Sequence, residues 1–159
     1  MPPIPPPRAS GFTRTTPVPL YWVAYGPEGA PRLLVLHGGP GAASYYVEPL
    51  AEAIAEHRPT VWYDQLGCGR SDKPDDPSLW TVERSIEELD QVRQALGLER
   101  CHLLGQSWGG WLAIDYMCRG PRGIAGLVLA STSASIPQFV AEARRQNLEK
   151  SLSGTKHNS

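Results

Sequence analysis

Short apolar runs alternate with amphipathic stretches along most of this chain. Four runs have the length of strands: RLLVL (32–36), TVWY (60–63), CHLLG (101–105) and IAGLVLA (124–130). The first is continuously apolar, which predicts a strand buried on both faces of a sheet. Between the four runs, apolar residues recur at helical spacing over 45–56, 82–96 and 109–118. This alternation predicts an α/β fold, with parallel strands joined by right-handed crossovers and covered by helices on both faces.

The two ends of the chain depart from this pattern. Residues 1–11 contain five prolines in their first seven positions and predict a flexible Pro-rich tail, with a PxxP ligand for an SH3-like partner as the alternative. The stretch 12–25 predicts two short strands around a Pro-rich turn. After Ala130 a loop leads to a charged amphipathic helix over 137–150, and the last nine residues, SLSGTKHNS, show no periodicity.

Charge and cysteine content narrow the possible partners. Fifteen basic and sixteen acidic residues give a net charge of −1, which provides no electrostatic footprint for nucleic acid or an anionic membrane. No apolar run approaches the length of a membrane span. The three cysteines, Cys68, Cys101 and Cys118, have no CxxC spacing and suit reduced thiols in the cytoplasm. We expect a cytoplasmic protein without metal, nucleic-acid or membrane partners.

The segment GQSWG (105–109) matches the G-x-S-x-G nucleophile elbow, between a predicted strand and a predicted helix. A turn tight enough to lift Ser107 clear of the sheet leaves room only for glycine at Gly105 and Gly109. The helix that follows directs its N–H groups at a developing oxyanion. In this context we interpret Ser107 as a nucleophile.

The segment HGGPG (37–41) follows the first buried strand directly. It could be a simple strand-to-helix turn. Its glycines could instead bring bare N–H groups within about 3 Å of a substrate carbonyl, as an oxyanion hole requires. A third polar segment, YDQLGCGRSD (63–72), could contact substrate, but we expect it mainly to brace the other two. Within it, Cys68 has no histidine at a recognisable partner position, so we expect an inert thiol.

Together these three motifs resemble the prolyl iminopeptidase family of α/β-hydrolases, in family order, and the resemblance covers about residues 12–150. It implies an incomplete α/β-hydrolase fold: an N-terminal part of the core (12–134), followed by the start of a helical cap and an unmatched tail (135–159). It also implies Ser107 as nucleophile, the N–H groups of Gly39 and Trp108 as oxyanion hole, and no metal or organic cofactor. The implied supporting residues are His37, Gly38, Pro40, Gly41, Asp64, Gln65, Gly105, Gln106 and Gly109. Members release an N-terminal residue, often proline, from peptides, or cleave amino-acid amides.

The acid and the base of a catalytic triad are harder to find. In this fold they follow the serine, where the chain offers Asp115, Glu142, Glu149 and His157. Asp115 lies about 12 Å down the helix axis from the elbow, the two glutamates suit a solvated helix face, and His157 falls in the unmatched tail. The upstream histidines, His37, His57 and His102, stand at a loop, a helix end and the far end of a strand.

We expect a truncated hydrolase, because the run GLVLA (126–130) is too apolar for a natural sheet edge. Without an acid and a base for Ser107, we expect the chain alone to be inactive. A complementing C-terminal chain would supply the missing acid and base. The alternatives are an inactive fragment that acts as an interaction partner, and an esterase or acyltransferase of the same fold.

Overall fold

The computed structural model describes residues 6–13, 18–28 and 32–154, apart from the side chains of residues 51–52 and 147–154. This part of the chain contains the strands β1 (Ala9–Phe12), β2 (Tyr21–Tyr25), β3 (Arg32–Leu36), β4 (Thr60–Tyr63), β5 (Cys101–Gln106) and β6 (Ile124–Ala130). The helices are α1 (Glu48–Ala55), α2 (Val82–Ala95), α3 (Trp108–Cys118) and α4 (Ile136–Gly154). Short 3-10 turns span Ser44–Val47 and Pro77–Leu79.

The strands form one sheet in the order β1-β2-β4-β3-β5-β6. Strands β4, β3, β5 and β6 run parallel to one another, whereas β2 pairs antiparallel with β4 and β1 pairs antiparallel with β2. The central strand β3 lies between β4 and β5, and its residues Leu34 and Leu36 are completely buried. Because the carboxyl ends of parallel strands meet at one edge, the loops after β3, β4, β5 and β6 are brought together there.

Helices cover both faces of the sheet, as the sequence pattern predicts. On one face, a cluster that includes Leu89 of α2 and Leu112 of α3 packs against Leu103 of β5. On the other face, Ala55 of α1 packs with Trp62 and Leu104. The α/β architecture expected from the sequence pattern is present, as a mainly parallel sheet with helices on both faces.

Several predicted boundaries change in the structure. The chain joins the sheet at Ala9, so the prediction of a tail as far as residue 11 is wrong for its last three residues; β1 gains its hydrogen bonds from β2, which no local pattern reveals. Residues 1–5, and with them most of the PxxP candidate, lie outside the described residues. The helix predicted over 45–56 divides into a 3-10 turn and α1, because Pro49 stands in the first turn of α1. Helix α4 continues to Gly154, into a stretch predicted to have no regular structure.

Strand β6 forms one edge of the sheet and pairs only with β5 within the described part of the chain. Its neighbouring residues Val128 and Leu129 are 50% and 43% exposed. Because successive residues of a strand point to opposite faces, β6 leaves apolar surface uncovered on both sides. The following helix α4 adds three exposed apolar side chains, Ile136, Phe139 and Val140. None of the helices described is both long enough and apolar enough to cross a bilayer.

Candidate active site

Ser107 stands at the sharp turn between β5 and α3. Its backbone has φ +52° and ψ −116°, in the left-handed range of φ that residues with a side chain rarely adopt. The turn is held by backbone hydrogen bonds: Ser107 N–H donates to Ala130 O (3.0 Å), and Gly110 N–H donates to Ser107 O (3.0 Å). Ser107 is only partly buried, so its strained backbone presents the hydroxyl at the edge of the sheet.

The elbow glycines are required by close packing. A Cβ on Gly105 would lie 2.5 Å from Gly109 O, and a Cβ on Gly109 would lie 2.2 Å from Leu36 O at the end of β3. Both distances are shorter than real Cβ contacts, so the first turn of α3 sits directly on the backbone of β3 and β5. This close approach explains the G-x-S-x-G spacing better than backbone freedom does, since neither glycine has a positive φ.

The loop after β6 also supports the elbow, a role that the sequence did not reveal. Thr132 Oγ1 donates to Ser107 O at 3.2 Å, and a Cβ on Gly110 would lie 2.0 Å from the same Oγ1. Ser131 shares the positive φ of Ser107, at +50°. A loop without periodicity or a recognised motif gave no signal for this contact.

The HGGPG loop turns at the end of β3 with two glycines at positive φ, Gly39 at +134° and Gly41 at +92°. A Cβ on Gly39 would lie 2.7 Å from Gly41 N. The loop and Trp108 line a common cavity through Pro40 and Gly41. Trp108 is the first residue of α3, and the N–H groups of a helix's first turn have no partner within the helix. The N–H groups of Gly39 and Trp108, which we expect to form an oxyanion hole, thus belong to this loop and to the first turn of α3.

Tyr46 connects this loop to the elbow. Its hydroxyl accepts a hydrogen bond from Gly38 N–H and donates to Gln106 Oε1 at 2.7 Å, next to Ser107. A Cβ on Gly38 would collide with both of these oxygens. Sequence reasoning missed Tyr46 because helical spacing alone placed it in a helix, whereas it belongs to the 3-10 turn before α1.

His37 is completely buried, and both of its ring nitrogens are engaged. Nε2 accepts from Gln65 N–H at 3.0 Å, which leaves the proton on Nδ1, where it faces Gly38 O at 2.8 Å. Burial lowers the pKa of the His37 imidazole, so the neutral form is favoured. His37 therefore has no free nitrogen to act as a base.

Gln65 joins all three motifs. Its side-chain Nε2 donates to His37 O at 2.8 Å, and its Oε1 accepts from Trp108 Nε1 at 3.0 Å. The neighbouring Asp64 is buried and accepts from Ser44 N–H (2.7 Å) and Arg70 N–H (2.9 Å). Both side chains are thus held by hydrogen bonds to neighbouring loops.

The structure brings no acid or base to Ser107 within the residues it describes. Asp115 lies in α3, two turns beyond the elbow. Glu142 forms an exposed ion pair with Arg145 at 2.6 Å, and Glu149 lies further along α4. His57 follows α1, and His102 is the second residue of β5, at the opposite end of that strand from the elbow. His157 lies outside the described residues.

Two buried titratable groups stand near the YDQLGCGRSD loop. Burial raises the pKa of the Cys68 thiol, which favours the unreactive protonated form. Burial also raises the pKa of Glu88 in α2 to about 7, although Leu66 N–H donates to its carboxylate at 3.3 Å. Glu88 carried no sequence signal, because one acidic residue inside an amphipathic helix is usually exposed.

Comparison with known proteins identifies a fold family and similar enzymes. The alpha/beta hydrolase fold family model matches residues 31–157. A proline iminopeptidase of Heyndrickxia coagulans is 45% identical over 122 residues, which cover 77% of this chain and 42% of that protein. A proline iminopeptidase of Levilactobacillus brevis is 50% identical over 115 residues, which cover 71% of this chain and 38% of that protein.

Among solved structures, the proline iminopeptidase of Mycobacterium smegmatis superposes with a TM-score of 0.81 at 36% identity, covering 89% of this chain and 50% of that one. The chain thus spans about two fifths of the length of the curated relatives it matches. The resemblance to proline iminopeptidases predicted from three motifs is confirmed, and the chain belongs to the alpha/beta hydrolase fold family.

Proposed function

We propose that this chain carries the nucleophile half of a serine hydrolase of the proline iminopeptidase type. The observation that supports this most strongly is the conformation of Ser107, a non-glycine residue at positive φ between a buried strand and a helix. Such strain persists only where the surrounding structure imposes it, and nucleophile elbows use it to expose the serine. The similarity to proline iminopeptidases supports the same chemistry.

In the proposed reaction, Ser107 Oγ attacks the carbonyl carbon of the substrate's first peptide or amide bond. A base takes the proton of Oγ and passes it to the leaving amine as the C–N bond breaks, and water then hydrolyses the acyl-enzyme. The N–H groups of Gly39 and Trp108 stabilise the oxyanion. In this proposal the supporting residues are His37, Gly38, Pro40, Gly41, Asp64, Gln65, Gly105, Gln106 and Gly109. No cofactor takes part in this scheme.

The base and its acid come from a separate segment in this proposal. Strand β6 offers an open edge and exposed Val128 and Leu129, which suit a further parallel strand of the same hydrolase. In this fold the acid and the histidine stand on loops after later strands. A C-terminal chain that pairs with β6 would therefore bring the base to the same edge of the sheet as Ser107.

Labelling with a fluorophosphonate probe tests this directly, because the probe reacts with an activated serine. We expect no labelling of the 159-residue chain alone, and labelling after co-expression with the C-terminal half of a proline iminopeptidase relative. Ser107→Ala is the control that must abolish the signal. Labelling of the chain alone would contradict the proposal that the base comes from a separate segment. If the two co-expressed chains fold but Ser107 stays unlabelled, the proposed hydrolase function is contradicted.

A second candidate function follows from the absence of a base near Ser107 among the described residues. The chain would then act without catalysis, as an interaction partner that uses the apolar β6 edge. A protein partner that binds through the β6 edge, with no fluorophosphonate labelling of Ser107, would favour this role. If labelling does appear, turnover of proline anilides against simple acyl esters separates a peptidase from an esterase or acyltransferase.

A further inference from the structure

A cavity of about 380 Å³ lies beside the HGGPG loop. Pro40 and Gly41 line it at one end, and the loop after β4 and the beginning of α2 line it at the other. No described atom lies within 4 Å of a Cβ added at Gly41, so the space next to the loop is open. We call this space the α2 cavity. It begins beside the N–H groups that would hold the oxyanion in the proposed reaction.

The side chains that give the α2 cavity its shape are mainly apolar. Leu79 and Val82 line it together with the indole rings of Trp80 and Trp108. The ring of Trp80 lies against Gly67, where a Cβ would lie 2.6 Å from the ring. Trp80 is nevertheless 53% exposed, although tryptophan is normally well buried. An apolar group inside the α2 cavity would cover this exposed ring.

Polar groups of the same walls already have partners. Gln65 uses its side-chain amide in the hydrogen bonds to the HGGPG loop and to α3 described above. Ser85 Oγ donates to Thr81 O at 3.1 Å, and Gly67 N–H donates to Asp72 O at 2.9 Å. A ligand therefore gains little from hydrogen bonds to these groups, and the burial of apolar surface is what the α2 cavity offers it.

Arg84 and Glu88 border the α2 cavity but present no accessible charge to it. The terminal nitrogens of Arg84 are buried, and so is Glu88. The two groups interact electrostatically with each other, one helical turn apart. Burial raises the pKa of Glu88 to about 7, so near neutral pH much of it is uncharged. These walls thus suit an uncharged ligand group, because a charged one would lose its water without gaining a partner.

The strand order indicates which part of a substrate lies towards the α2 cavity. Strand β4 lies on one side of the pair β3 and β5, and β6 lies on the other. In the proposed reaction the base comes with a chain that pairs with β6, and it gives its proton to the leaving amine, so the leaving part lies towards β6. The α2 cavity lies towards β4, on the opposite side. The residue that carries the attacked carbonyl therefore lies next to it.

We propose that the α2 cavity binds the side chain of the substrate's N-terminal residue and prefers a bulky, uncharged apolar side chain such as that of phenylalanine. The cavity exceeds what the ring of a proline fills, so a larger side chain buries more apolar surface there. This assignment rests on the proposed function and extends it from N-terminal proline to bulky apolar residues.

Binding can be measured on the 159-residue chain without any catalysis. L-phenylalaninamide, L-prolinamide and glycinamide share the α-amine and the amide and differ in the side chain. In isothermal titration we expect phenylalaninamide to bind about tenfold more tightly than glycinamide, with prolinamide between them, because affinity follows the apolar surface that is buried.

Two variants test whether this binding occurs in the α2 cavity. Ser85→Leu adds a branched side chain to the wall of the cavity, and Trp80→Ala removes one of its apolar walls. Each should weaken phenylalaninamide binding about tenfold. Phe12→Ala is the matched control, because Phe12 of β1 is as exposed as Trp80 but does not line the cavity, and it should leave the affinity unchanged. Circular dichroism establishes that each variant is folded.

Four results would each overturn the proposal. Three of them are equal affinity for phenylalaninamide and glycinamide, no binding of phenylalaninamide, and binding that survives both Ser85→Leu and Trp80→Ala. The fourth is loss of phenylalaninamide binding on co-expression with the C-terminal half of a proline iminopeptidase relative, because a side chain of that half would then fill the α2 cavity.

This result is independent of the labelling experiment. Ser107→Ala should bind phenylalaninamide as the unaltered chain does, so loss of catalysis and loss of the subsite are separate observations. Labelling of Ser107 without phenylalaninamide binding refutes only the subsite. Phenylalaninamide binding without labelling of the co-expressed chains leaves an apolar binding site in a protein whose hydrolase function has failed.

Discussion

At the scale of single residues, the hydroxyl of Tyr46 has the clearest measurable role. Tyr46→Phe removes the bridge between Gly38 N–H and Gln106 and leaves a part-buried amide without a partner. We expect a loss of about 1–2 kcal/mol in the free energy of unfolding, measured by urea denaturation. Tyr45→Phe is the matched control, because Tyr45 is 69% exposed. Equal stability of the two variants would contradict the bridge.

Glu88 makes stability depend on pH. Its pKa rises from an ordinary value of 4.5 to about 7 in the folded protein, so the folded state binds its proton more tightly than the unfolded state. This contribution is complete below about pH 4.5 and is lost as pH rises through 7. The raised pKa corresponds to about 3 kcal/mol.

The comparison of Glu88→Gln with the unaltered chain isolates this effect from other titrating groups. We expect the variant to gain about 2–3 kcal/mol relative to the unaltered chain between pH 5 and pH 8, in urea denaturation at each pH. The groups that face Glu88 are Tyr63, Cys68 and Arg84, and all three stay in place. Glu87→Gln, at an exposed neighbour, should show no such change. If the difference in the free energy of unfolding between Glu88→Gln and the unaltered chain is the same from pH 5 to pH 8, the raised pKa of Glu88 is refuted.

At the scale of elements, the close approach of α3 to β3 gives the next prediction. Gly109→Ala places a Cβ 2.2 Å from Leu36 O, so α3 must move away from the sheet. We expect a loss of about 3 kcal/mol in thermal or urea unfolding. Gly120→Ala is the comparison, since its φ of +69° is strained but no atom lies within 4 Å of the added Cβ. It should cost only about 1 kcal/mol.

The elements also show how far the sequence pattern reaches. The strands β3, β4, β5 and β6 and the helices α2 and α3 were predictable, because buried strands and amphipathic helices carry their periodicity within a few residues. Strand β1 was not, since Ala9–Phe12 (ASGF) has no strand pattern and depends on β2 for its pairing. Long-range pairing at an edge leaves little local signal.

The same distinction applies to the candidate site. The elbow was predictable because the close packing of α3 on β3 and β5 leaves room only for glycine. The glycine loop was predictable because Gly39 and Gly41 adopt a positive φ. Tyr46 and Thr132 were not, because their roles arise from side-chain contacts between segments distant in the chain. Contacts of this kind leave no pattern in the local sequence.

At the scale of the whole molecule, the open edge at β6 controls what the chain does in solution. Paired strands satisfy their backbone groups, but the outer side of β6 has no neighbour in the described sheet, and Val128 and Leu129 leave apolar surface beside it. Exposed apolar edges pair with other chains unless a charge blocks them. We therefore expect the chain alone to self-associate through β6.

Val128→Lys should block this pairing, because a lysine on an edge strand must lose its hydration when a second strand packs beside it. In size-exclusion chromatography with light scattering, the variant should be monomeric at concentrations where the unaltered chain forms oligomers. Glu142→Lys, on the exposed face of α4, adds the same side chain away from the edge and should leave association unchanged. Val128→Lys should also prevent the labelling of Ser107 that we expect on co-expression with the C-terminal half of a proline iminopeptidase relative. If Val128→Lys associates and complements normally, β6 is not the docking edge that we propose.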